Sequence, residues 1–105
     1  MFLYEFFDEK HVGIVVIKRD GTREEFAVEK IVVSCLKAGA PLEVARKIGK
    51  IVEGDLLRRK VSEITTKELM KEVLTLLKEE NEEWYRNWIV FDRAVKRRAS
   101  DKEVE

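Results

Sequence analysis

The chain has 105 residues with 21 basic and 21 acidic side chains, so its formal net charge is zero. This length suits a single domain, and the balanced charge argues against a general nucleic-acid binder, which would carry a basic excess. The one cysteine excludes an internal disulfide and a CxxC zinc pair, and no apolar run approaches the roughly 20 residues that span a bilayer.

The composition also bears on where the protein works. The first seven residues are mostly apolar but contain Glu5 and lack the basic residues that begin a secretory signal. We therefore expect a cytoplasmic protein with no membrane contact, no nucleic-acid partner and no structural metal. The abundance of Glu, Lys and Arg, with no Gln, is typical of a thermophilic source.

Residues 1–11 form an N-terminal extension that is rich in aromatic side chains. They predict either an extra strand over the protein's own core, which we favour, or a docking segment for a second subunit. His11, the only histidine, ends the extension. With no second histidine or cysteine nearby to share a metal, we interpret His11 as a surface residue.

Residues 12–31 predict a β-hairpin that leads into a helix. A β-branched run at residues 14–17 is followed by Asp20-Gly21 and a polar return that ends at Phe26. An Asp-Gly pair between two such runs is typical of a type I′ turn, in which both central residues have φ > 0. Two strands alone are only marginally stable in water, so helices must pack beneath them.

The first two predicted helices follow the hairpin directly. The first occupies residues 28–38, and Gly39 follows it as a C-terminal cap. Pro41 opens the second helix, where its fixed φ is tolerated, and a basic run at residues 58–60 ends it. We interpret that run as a solvated helix end rather than a nucleic-acid patch.

A polar connection at residues 62–66 leads to the third and fourth helices. Thr65, with Glu68 three residues later, is typical of a capping box at the start of the third helix. The fourth helix carries an aromatic stripe that includes Trp84 and Trp88, which is more typical of a core face than of a stacking platform. Residues 99–105 predict a polar, poorly ordered tail.

These elements together predict an α+β fold. We expect a small four-helix bundle capped by an N-terminal β-hairpin, or by a three-stranded sheet if the extension adds a strand. One domain at residues 12–98 accounts for the helices and the hairpin, between the extension at residues 1–11 and the tail at residues 99–105.

No arrangement of residues in the sequence indicates catalysis. The single histidine has no nucleophile near it in sequence, and no HExxH, CxxC or glycine-rich phosphate loop occurs. Adjacent glutamates occur at residues 24–25 and 79–80. Within each pair the two side chains point in different directions, because neighbouring residues on a strand or a helix do not face each other. We therefore expect a protein that is not an enzyme.

Three polar groups predict a binding site if the fold brings them together. Lys18-Arg19 lies beside the hairpin turn, and Thr65-Thr66 presents backbone N–H groups at a helix N-terminus, where anions are favoured. The third group is basic and lies on helix four: Arg93, Lys96, Arg97 and Arg98. Each group alone also has an ordinary interpretation, as sheet-edge protection, a helix cap and a solvated helix end.

Three motifs in a fixed order carry a family resemblance. VxKRDGxxExF at residues 16–26, EKI at residues 29–31 and EITTKEL at residues 63–69 resemble the ATP-cone. That domain is the adenine-nucleotide sensor found at the front of many ribonucleotide reductases and in their repressor. The resemblance covers residues 12–98 and implies a small helical bundle capped by a β-hairpin.

The resemblance implies a regulatory module that binds ATP or dATP, with Mg²⁺. It signals through self-association or through an unidentified protein partner, for which a protein related to ribonucleotide reductase is a candidate. Lys18 and Arg19 would meet the phosphates, and Thr66 would support them at the helix start. A basic residue of helix four would complete the site, with Lys96 and Arg97 as the candidates.

The resemblance also assigns the nucleoside end of the ligand. Val16 and Ile31 would pack near the base, Glu24 would contact the nucleoside, and Lys30 would lie near the ribose or the phosphates. The predicted nucleotide-binding residues are Val16, Lys18, Arg19, Glu24, Lys30, Ile31, Thr65, Thr66, Lys96 and Arg97.

The alternative is a nucleotide-independent protein-interaction module that kept the ATP-cone fold but lost the ligand. Ala27 stands where some family members have a polar residue beside the base, and Met70 stands where some have a histidine. The repressor form of the family also carries an N-terminal zinc ribbon, which a chain with one cysteine cannot build. We therefore expect no DNA binding by that route.

Overall fold

A computed structural model describes the backbone of residues 13–104 and the side chains of residues 13–94. The chain forms β1 (Val15–Ile17), β2 (Arg23–Glu25), α1 (Val28–Lys37), α2 (Leu42–Arg58), β3 (Glu63–Thr65), α3 (Thr66–Glu80) and α4 (Glu82–Val104). Four helices and a small mixed sheet confirm the predicted α+β class. The interpretations of residues 1–11, as a strand or as a docking segment, and of His11 lie outside the described residues.

The sheet has three strands in the order β2-β1-β3. β1 pairs antiparallel with β2, with Val16 opposite Glu24, and parallel with β3, with Val16 beside Ile64. The third strand therefore comes from residues that the sequence predicts as a connection. A three-residue strand is too short to show a periodic pattern, and its partner lies far away in the sequence.

The hairpin turn is wider than the predicted type I′ turn. The Gly21 N–H donates to the Lys18 carbonyl at 2.9 Å and the Lys18 N–H donates to the Thr22 carbonyl at 2.8 Å. Gly21 has φ 88°, whereas Asp20 is not at positive φ. This is the three-residue loop of a β-turn followed by a left-handed glycine. Asp20 instead accepts hydrogen bonds from the Thr22 backbone N–H at 3.0 Å and the Thr22 hydroxyl at 2.7 Å.

One face of the sheet and one face of each helix form a continuous apolar core. Val16 and Ile64 are buried on the sheet, and Ile31, Ile48 and Leu77 are buried on α1, α2 and α3. Cys35 is fully buried, which confirms its interpretation as a small core residue. Burial raises the pKa of the Cys35 thiol to about 11, so the thiol stays protonated at neutral pH.

Helix α4 extends further than the sequence predicts. It continues to Val104 and so includes most of the residues predicted as a polar, poorly ordered tail. No glycine or proline interrupts the sequence after Gly54, and charged residues such as Lys and Glu are good helix formers. Trp84 and Trp88 pack against the core as predicted, whereas Phe91 is 46% exposed. Within residues 13–104, no helix is both long and apolar enough to cross a membrane.

Helices α1 and α2 approach each other closely at Gly49. A Cβ atom added at Gly49 would lie 2.9 Å from Cγ2 of Val28 and 3.4 Å from Cγ2 of Val32. Val28 and Val32 are β-branched and therefore stiff, so they cannot easily make room. Gly54 lies on the same helix, and a Cβ atom there would meet nothing within 4 Å.

We expect Gly49→Ala to lower the free energy of unfolding by about 1–3 kcal/mol, because overpacking a close helix contact forces side chains or backbone to shift. Gly54→Ala is the matched control, since the same change in open space should stabilise the helix by about 0.5–1 kcal/mol. Urea unfolding of both variants measures the difference. Equal stability of the two variants would contradict the close approach of α1 and α2.

Candidate functional site

A small pocket lies where the sheet meets α1 and α3. Its volume is about 220 Å³, below the roughly 300–1,000 Å³ of sites that hold a whole drug-sized ligand. Apolar side chains of Ala27, Leu69 and Met70 form part of its lining. Six of the predicted site residues also line it: Val16, Lys18, Glu24, Lys30, Ile31 and Thr66.

A larger groove adjoins the small pocket between the hairpin turn, α3 and α4. Its volume is about 1510 Å³, and its lining includes Arg19 and Thr65 of the predicted site. Lys18 and Thr66 line both the pocket and the groove. The structure therefore brings Lys18-Arg19 and Thr65-Thr66 to one surface, although they are far apart in the sequence.

The strand register explains why several of these side chains share the small pocket. Val16 and Lys18 are two residues apart, so their side chains point to the same face of the sheet. Glu24 lies opposite Val16 on β2, which makes it the diagonal neighbour of Lys18. Because Val16 faces the core, this row of side chains stands at the rim where the sheet covers the helices.

Glu24 links two lysines of the predicted site, Lys18 and Lys30. Its Oε2 atom lies 3.1 Å from Lys18 Nζ, and its Oε1 atom accepts a hydrogen bond from Lys30 Nζ. Both contacts lower the pKa of the Glu24 carboxyl below its ordinary value, and the contact with Lys30 has the larger effect. The carboxylate is therefore ionised at neutral pH and carries a full negative charge between the two ammonium groups.

The other side of the site is the N-terminus of α3. The predicted capping box is confirmed, since the Glu68 N–H donates to Thr65 Oγ1 at 3.1 Å and the Thr65 N–H donates to Glu68 Oε1 at 3.2 Å. The Thr65 hydroxyl also donates to this carboxylate, which lowers the pKa of Glu68. The Thr66 hydroxyl lies 3.4 Å from the Ile17 carbonyl oxygen and so ties α3 to the end of β1.

Other basic residues are not part of this surface. Arg58 and Arg59 at the end of α2 form ion pairs with Asp55, both at 2.9 Å, and line neither cavity. Arg93 of the proposed helix-four group also lies outside both linings. The side chains of Lys96 and Arg97 fall outside the described part of the chain, so their position in the site stays a prediction.

Sequence reasoning missed other residues that line the groove. Lys67, Lys71 and Lys78 of α3 do so, and their spacing of four and seven residues places them along one helix face. That spacing is visible in the sequence and could have indicated a basic stripe. Trp88, predicted as a core residue, also lines the groove, and Lys78 Nζ lies 5.1 Å from the centre of the Tyr85 ring.

Comparison with known proteins gives one family and one group of relatives. The family described as "ATP cone domain" matches residues 14–97. The transcriptional repressor NrdR of Gloeobacter violaceus is 36% identical over 78 residues, which cover 70% of this chain and 45% of the relative. NrdR of Crocosphaera subtropica is 38% identical over 78 residues, which cover 70% and 42%.

The same repressor from Halalkalibacterium halodurans is 35% identical over 72 residues, which cover 65% of this chain and 47% of the relative. The chain thus spans less than half the length of these curated relatives. Their names describe regulators of transcription rather than enzymes.

The expectation of no nucleic-acid partner is wrong. The relatives are transcriptional repressors, which act on DNA. The expectation depends on the zero net charge of this chain, and that charge describes one domain only. A regulatory domain without a basic excess can belong to a protein that contacts DNA through other surfaces.

The family match covers most of the chain, and the observed helices, mixed sheet and motif positions agree with it. ATP-cone domains bind ATP or dATP, and they act as nucleotide-sensing regulatory modules. This chain belongs to the ATP-cone family.

Proposed function

We propose that this chain binds ATP or dATP across the two adjoining cavities, with the adenine in the small pocket and the phosphates in the groove. The observation that carries the proposal is that Lys18 and Thr66 line both cavities. A ligand that extends from the pocket into the groove must therefore pass between the hairpin and the N-terminus of α3.

The small pocket suits a nucleobase in size and chemistry. Its volume of about 220 Å³ can take a flat ring system but not a whole nucleotide. Val16, Ala27 and Ile31 offer apolar contacts to the ring faces, and Ser34 adds a hydroxyl. A mainly apolar cavity with a few polar groups is the usual setting for a bound base.

The groove beside it suits a polyphosphate. Lys18 and Arg19 supply positive charge from the hairpin, and Lys67 and Lys71 supply it from the first turns of α3. The helix N-terminus adds backbone N–H groups that have no partner within the helix, together with the positive end of its dipole. Lys96 and Arg97 lie about one turn beyond Asp92 on α4 and stay our candidates to complete the site.

We propose that Mg²⁺ accompanies the nucleotide rather than occupying a site of its own. Mg²⁺ keeps several waters and is usually held through substrate phosphates with one or two protein carboxylates. The groove lining contains two carboxylates of this kind, Glu79 and Asp92. Among the described residues, no group of three or more metal-ligating side chains occurs.

We further propose that bound nucleotide changes how the domain associates with a second copy or with a partner protein. A ligand shifts such an equilibrium only through different affinities for the two states. Large apolar side chains stay exposed on α1, where Val33 is 45% and Leu36 is 40% exposed, and on α4, where Val90 is 68% and Phe91 is 46% exposed. The regulated partner can be a protein that acts in transcription, because the curated relatives are transcriptional repressors.

For nucleotide binding, we expect ATP and dATP with Mg²⁺ to give saturable heats in isothermal titration calorimetry. A Lys18→Ala/Arg19→Ala double variant should bind at least about tenfold more weakly, because each lost charge-assisted hydrogen bond to phosphate costs about 1.5–3 kcal/mol. Arg46→Ala/Lys50→Ala is the matched control, since it removes the same charge from α2, outside both cavities. Absence of heat with wild-type protein at millimolar ATP would refute the function, and equal loss in both variants would refute the site.

For signalling, we expect the light-scattering mass of the purified chain, alone or with its partner, to change when saturating ATP is added. The nucleotide-independent interaction module predicts an assembly of the same mass with and without ATP. The exposed apolar side chains on α1 and α4 favour that alternative as a second candidate. The Lys18→Ala/Arg19→Ala variant is the control, because a real nucleotide effect must be weaker in it.

A further inference from the structure

Glu24 forms ion pairs with Lys18, which the proposed site offers to phosphate, and with Lys30, which the family resemblance places near the ribose or the phosphates. One carboxylate oxygen lies 3.1 Å from Lys18 Nζ, and the other accepts a hydrogen bond from Lys30 Nζ. Both lysines line the small pocket, and Lys18 also lines the groove. A phosphate that approaches either ammonium group therefore meets a carboxylate that is already bound there.

The hairpin register fixes where Glu24 stands on the sheet. The residue is paired with Val16 in the centre of the hairpin register, and the Phe26 N–H donates to the Ile14 carbonyl just beyond it. The Glu24 side chain is 30% exposed, against 48% for Lys18 and 64% for Lys30. The Glu24 side chain is thus the most enclosed of the three.

We infer that Glu24 is an internal counter-ion that competes with ligand phosphates for Lys18 and Lys30, and so sets the affinity of the site for polyphosphate. This inference deepens the proposed function and rests on its assignment of Lys18 to phosphate. In this role Glu24 weakens phosphate binding, whereas the family resemblance implies a favourable contact between Glu24 and the nucleoside.

The charge of the cluster supports the inference. Two ammonium groups and one carboxylate sum to a single positive charge, and removing the carboxylate would leave two. The lowered pKa of Glu24 means that the competing charge is present throughout the neutral range. Since a phosphate chain is strongly negative, its attraction to the cluster rises when the carboxylate is neutralised, and most of all at low ionic strength.

The test uses inorganic tripolyphosphate, which has the phosphates of ATP but no nucleoside. Glu24→Gln keeps the shape of the side chain and removes its charge. We expect roughly tenfold tighter binding of tripolyphosphate by this variant at low salt, with a smaller gain at high salt. Glu29→Gln is the matched control: Glu29 lies on the first turn of α1, pairs with Arg46 at 3.4 Å and lines neither cavity.

The outcomes separate this inference from the proposed function. A gain in tripolyphosphate affinity for Glu24→Gln but not for Glu29→Gln supports the counter-ion role. Unchanged or weaker tripolyphosphate binding by Glu24→Gln overturns it, and a loss of ATP affinity alone would assign Glu24 to the nucleoside instead. Failure of wild-type protein to bind ATP refutes the proposed function, and the inference is then supported only if Glu24→Gln still gains affinity for tripolyphosphate.

Discussion

The parallel pairing of β1 with β3 is the contact on which the candidate site depends. The Val15 N–H donates to the Ser62 carbonyl at 2.9 Å, and the Thr66 hydroxyl reaches the Ile17 carbonyl across a sequence separation of 49 residues. This short ladder sets the N-terminus of α3 beside the end of the hairpin. Without it, Lys18 and Thr66 would belong to separate surfaces, and neither the pocket nor the groove would have its present shape.

The ladder cannot stand alone, because strands of three residues contribute few hydrogen bonds and little buried area. It is stabilised by the apolar face beneath it, where Val16 and Ile64 are buried beside each other and pack on the helices. Close contact of α1 with α2 at Gly49 holds the bundle on which the sheet lies. The position of the basic side chains therefore follows from the core, although the side chains themselves are exposed.

Features set by local sequence could be predicted, and features set by distant pairing could not. Apolar spacing predicts all four helices, and the Thr65–Glu68 capping box marks the start of α3 correctly. The Asp-Gly pair predicts the hairpin but gives the wrong turn: Asp20 is not at positive φ, and its side chain accepts hydrogen bonds from Thr22. Strand β3 could not be predicted from the sequence, because its three residues pair only with a strand far away in the chain.

The same division holds for the site. The motifs identify residues of the hairpin and of the α3 N-terminus, and the family pattern implies that they act together, but only the long-range pairing shows how they meet. The ion pairs of Glu24 depend on the placement of α1 against the sheet and have no signature in the sequence. The expectation of no nucleic-acid partner was wrong because it depended on net charge, and the charge of one domain does not describe the proteins in which the domain occurs.

One nucleotide should occupy the small pocket and the groove together, and NMR titrations with ATP and with tripolyphosphate can detect this. With ATP, the methyl groups of Val16 and Ile31 and the backbone amides of Lys18 and Thr66 should shift together with a single dissociation constant. With tripolyphosphate, the resonances of the two amides should shift while those of the methyl groups stay unchanged. Shifts confined to a distant surface, such as the exposed face of α2, would contradict binding across the two cavities.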